Sequence, residues 1–308
     1  MTGGNKKTGC GVGTGRALSL RRGGKGVATL RPYNAPTLIV FTVIALLSIS
    51  CTKPVPSTKP LIALSIPPQT WFAKQIGQDK IDILLLAGEG QDPHDYEPTQ
   101  RQLASLQTAG LWVLSGTEFE VALQPKIRAM YPGLTIINGI EGIKLKDGDR
   151  HTWLGREPAK NMTRIIEAGL SFYDRANEEL YNKNMHTTLA LIDKTFDELK
   201  IKLAPLKGSV VFVYHPAFGY FFDEFGITQI AVETGGKEPT ARQLSALITR
   251  AKVEKPAAIF VQKQFPATAA RTIADSVGAA VVELDPLAED WLGNIQKIGE
   301  ALLDASKQ

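Results

Sequence analysis

Two stretches of this chain alternate short apolar runs with amphipathic segments, and a stretch with no strand-like run separates them. In the first, the pattern predicts strands at 61–66, 81–86, 111–115 and 134–137, with helices at 69–76, 99–108 and 121–130 between them. In the last, strands are expected at 209–214, 229–233, 257–262 and 280–284, and helices at 217–225, 240–253, 267–277 and 290–305. A β-α-β-α rhythm calls for a parallel sheet with helices on both faces. From Asn161 to Leu206 the period is helical instead. Met185, Leu189, Ile192, Phe196 and Leu199 recur at spacings of three or four, and Pro205 ends the run. A helix over 181–204 rises about 36 Å, enough to cross a domain. The expected fold is therefore α/β: two α/β lobes with mainly parallel sheets, joined by a long helix.

The order of segments before this body suggests export. Residues 1–31 are basic and Gly-rich, and the apolar run TLIVFTVIALLSIS spans 37–50 and ends at Cys51. That run rises only about 21 Å as a helix, short of the ~30 Å hydrocarbon core, so it reads as a signal peptide. Ser48-Ile49-Ser50-Cys51 resembles a bacterial lipobox, with Ser48 where Leu is usual and Leu47 one place off. Lipidation of Cys51 is expected; plain secretion and an uncleaved membrane anchor are the alternatives. Residues 52–59, TKPVPSTK, read as an extended tether. The expected division is leader 1–50, anchor Cys and tether 51–59, first lobe 60–160, helical segment 161–206 and second lobe 207–308.

The formal charge of +4 comes from the leader. Lys6, Lys7, Arg16, Arg21, Arg22, Lys25 and Arg31 stand there with no acid, and without them 28 basic side chains face 31 acidic ones. A body of about −3 gives no reason to expect nucleic acid as a partner. The only other cysteine, Cys10, also lies in the leader. No internal disulfide is expected in the mature chain, and any metal would be held by His, Asp or Glu. GCGVGTGR at 9–16 superficially looks like a dinucleotide loop, but no strand precedes it.

Four histidines exist. His94 sits in a loop after a strand, in GQDPHDYEPT. His151 lies in DRHTWL just before the helical segment, and His215 directly follows VVFVY. Asp285 directly follows VVEL. Functional groups of α/β folds are presented at such carboxyl ends of strands. His186 lies mid-helix, off the apolar stripe, and reads as a surface residue. Three imidazoles and a carboxylate make a full tetrahedral zinc shell. Spacing alone is weak support, because nothing local forces these residues together and a histidine at a strand end is more often structural.

The surrounding segments are more specific. GQDPHDYEPT (90–99), GTEFE (116–120), DRHTWL (149–154), VYHPAFGYF (213–221), ETGGKEPTARQL (233–244), AIFVQKQF (258–265) and VVELDPLAEDW (281–291) run in order over residues 60–305. They resemble the zinc- and manganese-specific solute-binding proteins of ABC importers. The resemblance implies two α/β lobes bridged by a backbone helix, with a metal site in the interlobe cleft formed by His94, His151, His215 and Asp285. It implies a monomer, periplasmic or at the cell surface, that serves a permease and its ATPase and is not an enzyme. It also implies small lobe tilts rather than wide closure. Manganese-handling relatives commonly carry Glu at the place of His215, so Zn2+ is the expected cargo and Mn2+ the alternative. The second segment departs from the usual D-P-H-x-W-L-D-P: Arg150 replaces Pro, and Gly155-Arg156 replace Asp-Pro, which makes His151 the least secure ligand. Glu97, Asp149 and Glu233 are near enough in sequence to orient the imidazoles, without being assigned. The rival readings are a surface adhesin, as some relatives are described, and a secreted zinc hydrolase. No HExxH motif supports the hydrolase.

Overall fold

The computed structural model describes residues 59–307. The leader, Cys51 and nearly all of the 52–59 tether lie outside the described residues. The first alternating stretch forms β1 (Leu61–Leu64), α1 (Pro67–Gly77), β2 (Asp82–Leu85), α2 (Gln100–Ser105), β3 (Leu111–Leu114), α3 (Glu118–Met130) and β4 (Thr135–Asn138). All its strand pairs are parallel, in the order β2-β1-β3-β4. The helix expected over 99–108 ends early. Thr99 caps it, its hydroxyl accepting from the Gln102 amide, and after Ser105 the chain tightens into a 3-10 turn at Leu106–Thr108.

Two long helices follow, α4 (Arg156–Tyr173) and α5 (Glu178–Lys202). The helical period was legible from Asn161, yet α4 starts at Arg156. Pro158 falls in its first turn, where a missing N–H leaves no bond unmade. In α5, Met185, Ile192, Phe196 and Leu199 are buried, and His186 is exposed as its place off the stripe predicts. The 25 residues of α5 reach about 37 Å.

The second alternating stretch forms β5 (Val210–Val213), α6 (Gly219–Phe225), β6 (Thr228–Ala231), α7 (Ala241–Glu254), β7 (Ala258–Val261), α8 (Thr268–Val277), β8 (Ala280–Glu283) and α9 (Trp291–Ala305). Its sheet is again all parallel, ordered β6-β5-β7-β8. The two sheets thus repeat one topology. In each, the strand order reverses beside the first strand, and the crevice at that carboxyl edge is where such sheets receive ligands.

Three apolar clusters hold these layers. One lies on the outer face of the first sheet, around Ala63, Leu103, Trp112 and Ile127. Another lies on the outer face of the second, around Phe212, Ile230, Ile259 and Ile273. The largest belongs to both lobes at once. It runs from Ile62, Leu64 and Val113 through Trp153, Met162, Ile192 and Phe196 to Val213, Phe260 and Trp291. Trp71, Phe72 and Trp291 pack ring on ring across it, with centroids 4.7 and 5.1 Å apart. Its polar tips are satisfied across the lobes. The Trp153 indole donates to the Pro286 carbonyl at 2.7 Å, and the Trp291 indole donates to the Trp153 carbonyl at 2.7 Å. The expected two α/β lobes with parallel sheets and a long helix are present, and the lobes share a core.

Candidate metal centre

His94 stands in the long loop between β2 and α2. Its amide donates to the Asp92 side chain at 2.9 Å, an Asx turn that sets the backbone. His151 opens the 3-10 turn leading into α4, and its amide donates to Asp149 at 2.9 Å. His215 leaves β5 directly. Its amide donates to Gln262 Oε1 at 3.1 Å, and Gln262 Nε2 returns a bond to the His215 carbonyl at 2.8 Å. Gln262, 1% exposed at the end of β7, thus bridges the point where the strand order reverses. The His215 ring lies on Phe265, with centroids 4.6 Å apart and planes 20° from parallel.

The three rings converge. His215 Nε2 lies 3.2 Å from His94 Nε2 and 3.2 Å from His151 Nε2. A zinc tetrahedron with Zn–N near 2.0–2.1 Å has N···N edges of about 3.3 Å, so this spacing is that of ligands around one ion. Each ring turns its other nitrogen to a carboxylate: His94 Nδ1 to Glu118 at 3.0 Å, His151 Nδ1 to Asp149 at 2.8 Å, and His215 Nδ1 to Glu233 at 3.1 Å. A proton on Nδ1 held by a carboxylate leaves the Nε2 lone pair facing inward, the arrangement that fixes a metal-ligating imidazole. Lone pairs converging this closely repel unless a cation or shared protons stand among them. The rings wall a cavity of ≈ 20 Å³ completed by Trp153, Phe265 and Leu287, about the room one water-sized particle occupies.

Burial and charge set the rings apart. Burial, with the neighbouring His151 and His94 rings adding to it, pushes His215 down to about 3. The hydrogen bond that His94 donates to Glu118 raises His94 against the opposing effect of burial. Burial also opposes Glu118, yet the bond from His94 leaves that carboxyl below its ordinary range. Burial raises Glu233.

Of the expected residues, the structure brings together His94, His151 and His215, whose ligand atoms all lie within 4.8 Å of one another. Among the described residues Asp285 is not in that group. Its Oδ1 accepts from the Leu287 amide at 2.8 Å, while Pro286 and Leu287, next in its loop, line the cavity. Of the three candidate orienting acids, Asp149 and Glu233 hold rings, and Glu97 is exposed on the loop. The acid that sequence reasoning missed is Glu118. It opens α3 directly after β3, a reversal-point strand like β5, and that rim position was its available signal. Arg150, on the cavity wall, turns to Glu118 at 3.3 Å and to the Gly116 carbonyl at 2.6 Å.

Comparison with known proteins identifies relatives of this chain. Residues 62–305 match the family described as "Zinc-uptake complex component A periplasmic". The high-affinity zinc uptake system protein ZnuA of Bacillus subtilis (strain 168) is 29% identical over 264 residues, covering 78% of this chain and 82% of that protein. A crystal structure of ZnuA is similar with a TM-score of 0.77 and 33% identity, covering 80% of this chain and 98% of that one. A 138–173 deletion mutant of ZnuA with zinc bound gives a TM-score of 0.76 at 33% identity, over 80% of this chain and 98% of that one.

Proposed function

The chain belongs to the zinc-uptake complex component A family, and from that premise we propose that it captures a divalent transition metal, zinc before manganese, and delivers it to the permease of an ABC importer. His94, His151 and His215 supply three nitrogens. Asp285 moves in from its loop to complete the shell with oxygen. The observation that carries this reading is the convergence of three Nε2 atoms, each backed by a carboxylate on Nδ1. Imidazole donors favour zinc, and the Irving–Williams order places zinc well above manganese on such a set.

Binding and release, rather than catalysis, suit this shell. A catalytic zinc keeps a position open for water or substrate, and four protein ligands close it. The histidines bind as neutral rings, so loading expels any protons shared among them. Delivery requires a permease and an ATPase supplied by other chains. Lipid on Cys51 would hold the protein at the membrane where the permease sits, with 52–59 as its reach. Among the described residues no helix is long and apolar enough to cross a membrane. Because both sheets share one core, release proceeds by loop movement and small tilts rather than a wide hinge.

Elemental analysis and calorimetric titration of metal-free protein, beside a His215→Ala variant, test the proposal. One zinc per chain is expected for the parent and none for the variant. Manganese binding as tight as zinc would overturn the preference, and zinc retained by the variant would overturn the site.

A further inference from the structure

Arg150 precedes His151 in the chain, but its guanidinium serves the other histidine of the first lobe. Nη1 donates to the Gly116 carbonyl at 2.6 Å, and Nε faces Glu118 Oε1 at 3.3 Å. The second oxygen of that carboxylate, Oε2, meets His94 Nδ1 at 3.0 Å. One side chain thus links the segment that carries His151 to the carboxylate that orients His94.

The carbonyl that receives Arg150 is itself fixed. Gly116 has φ +89, and a Cβ there would collide with the Ile140 side chain, so glycine is required at the turn. The buried Glu120 carboxylate accepts from the amides of Ser115, Gly116 and Thr117 at 2.6, 2.7 and 3.0 Å, which holds the turn rigid. Glu118 has no comparable support. Its side chain is 45% exposed, against 4% for Glu233, its counterpart at His215. Exposed ion pairs often contribute nothing measurable. This one differs because the other carboxylate oxygen is committed to a histidine of the site. A planar guanidinium reaches the carbonyl and the carboxylate together, whereas an ammonium is a point charge.

We propose that Arg150 is a positioning residue for metal capture: braced on the Gly116 turn, it holds Glu118 against His94 and so sets the ring that closes the first-lobe side of the site. The inference rests on the reading of the three histidines as the metal site. It turns the replacement of the usual proline at this position from a defect into a brace.

The test is zinc affinity by competition with a chelating dye, measured for the parent, Arg150→Ala, Glu118→Ala, the double variant and Arg150→Lys, with melting curves to establish folding. Each alanine variant should lose about tenfold, in line with other partners that orient a ligand. The double variant should bind no worse than Glu118→Ala alone, and lysine should restore only part of the loss. Imidazole 15N spectra of metal-free Arg150→Ala should show the His94 Nδ1–H signal averaged and that of His215 unchanged, which a merely structural brace would not produce. Losses that multiply in the double variant, or parental affinity in Arg150→Ala, overturn the proposal. If Arg150→Ala does not fold, parental affinity in Arg150→Lys overturns it alone. A parent chain that binds zinc no better than His215→Ala overturns the site reading itself, a result distinct from any of these.

Discussion

His215 leaves the second lobe two residues past the end of β5, whereas His94 and His151 are carried by longer loops of the first. The strand end inherits the rigidity of the sheet. Gln262 ties His215 across the reversal point on both its backbone groups, Phe265 covers its ring, and Glu233 behind it is 7% exposed. The loop histidines are fixed by side chains alone, farther from any strand. Asp92 and Asp149 turn their backbones, and the half-exposed Glu118 backs the His94 ring. Sheets of one topology thus build unlike halves of a site. A group on a strand end is placed by the ladder of backbone bonds, and a group on a loop needs a partner for each degree of freedom it loses.

Removing the strand-borne ligand should have the largest effect. His215→Ala is expected to weaken zinc binding by more than about 100-fold, beyond the range seen when only an orienting partner is lost; a smaller loss in a titration would place the main ligand in the first lobe. Asp285→Ala should fall between that loss and the loss of an orienting partner, and an unchanged affinity would remove Asp285 from the shell. Among the orienting acids, Glu233→Ala should cost affinity near the upper end of about 10–100-fold and Glu118→Ala near the lower. Equal losses in the same assay would break the contrast between a buried and an exposed support.

The smallest effect is one of sign, in metal-free protein. His215 lies at about 3 when folded, against an ordinary 6.5, so between those values the folded chain holds fewer protons there than the unfolded one. Stability from this ring is therefore lost as pH falls through that window. His94 is raised, so its contribution is present below 6.5 and fades as pH rises through its folded value. Melting curves across pH should show the acid loss shallower in His215→Ala and steeper in His94→Ala. The same direction in both variants would mean that the two halves are electrostatically alike.

The strands were legible because each is a short apolar run between amphipathic helices, and a period is a local property. So was the grouping of the three histidines, His94 and His215 in loops after strands and His151 just before the helical segment. The start of α4 was hidden by Pro158, which reads as a breaker in sequence and is harmless in a first turn. Glu118 was hidden because its partner His94 is far away in the chain, and only the carboxyl ends of β2 and β3, on either side of β1, bring them together. That the Asp285 carboxylate stands outside the trio was equally beyond reach: the segment VVELDPL gives its place after a strand, while its Oδ1 accepts from the Leu287 amide.

The cluster that runs from Ile62 to Trp291 has a thermodynamic consequence. Lobes with separate cores melt separately; sheets that lean on one core lose it together. Unfolding should be a single cooperative transition over the described residues, and an ion bound between the lobes would displace the whole of it by RT ln(1 + [L]/Kd). The cargo is then felt by every residue of the body, with no change of shape required.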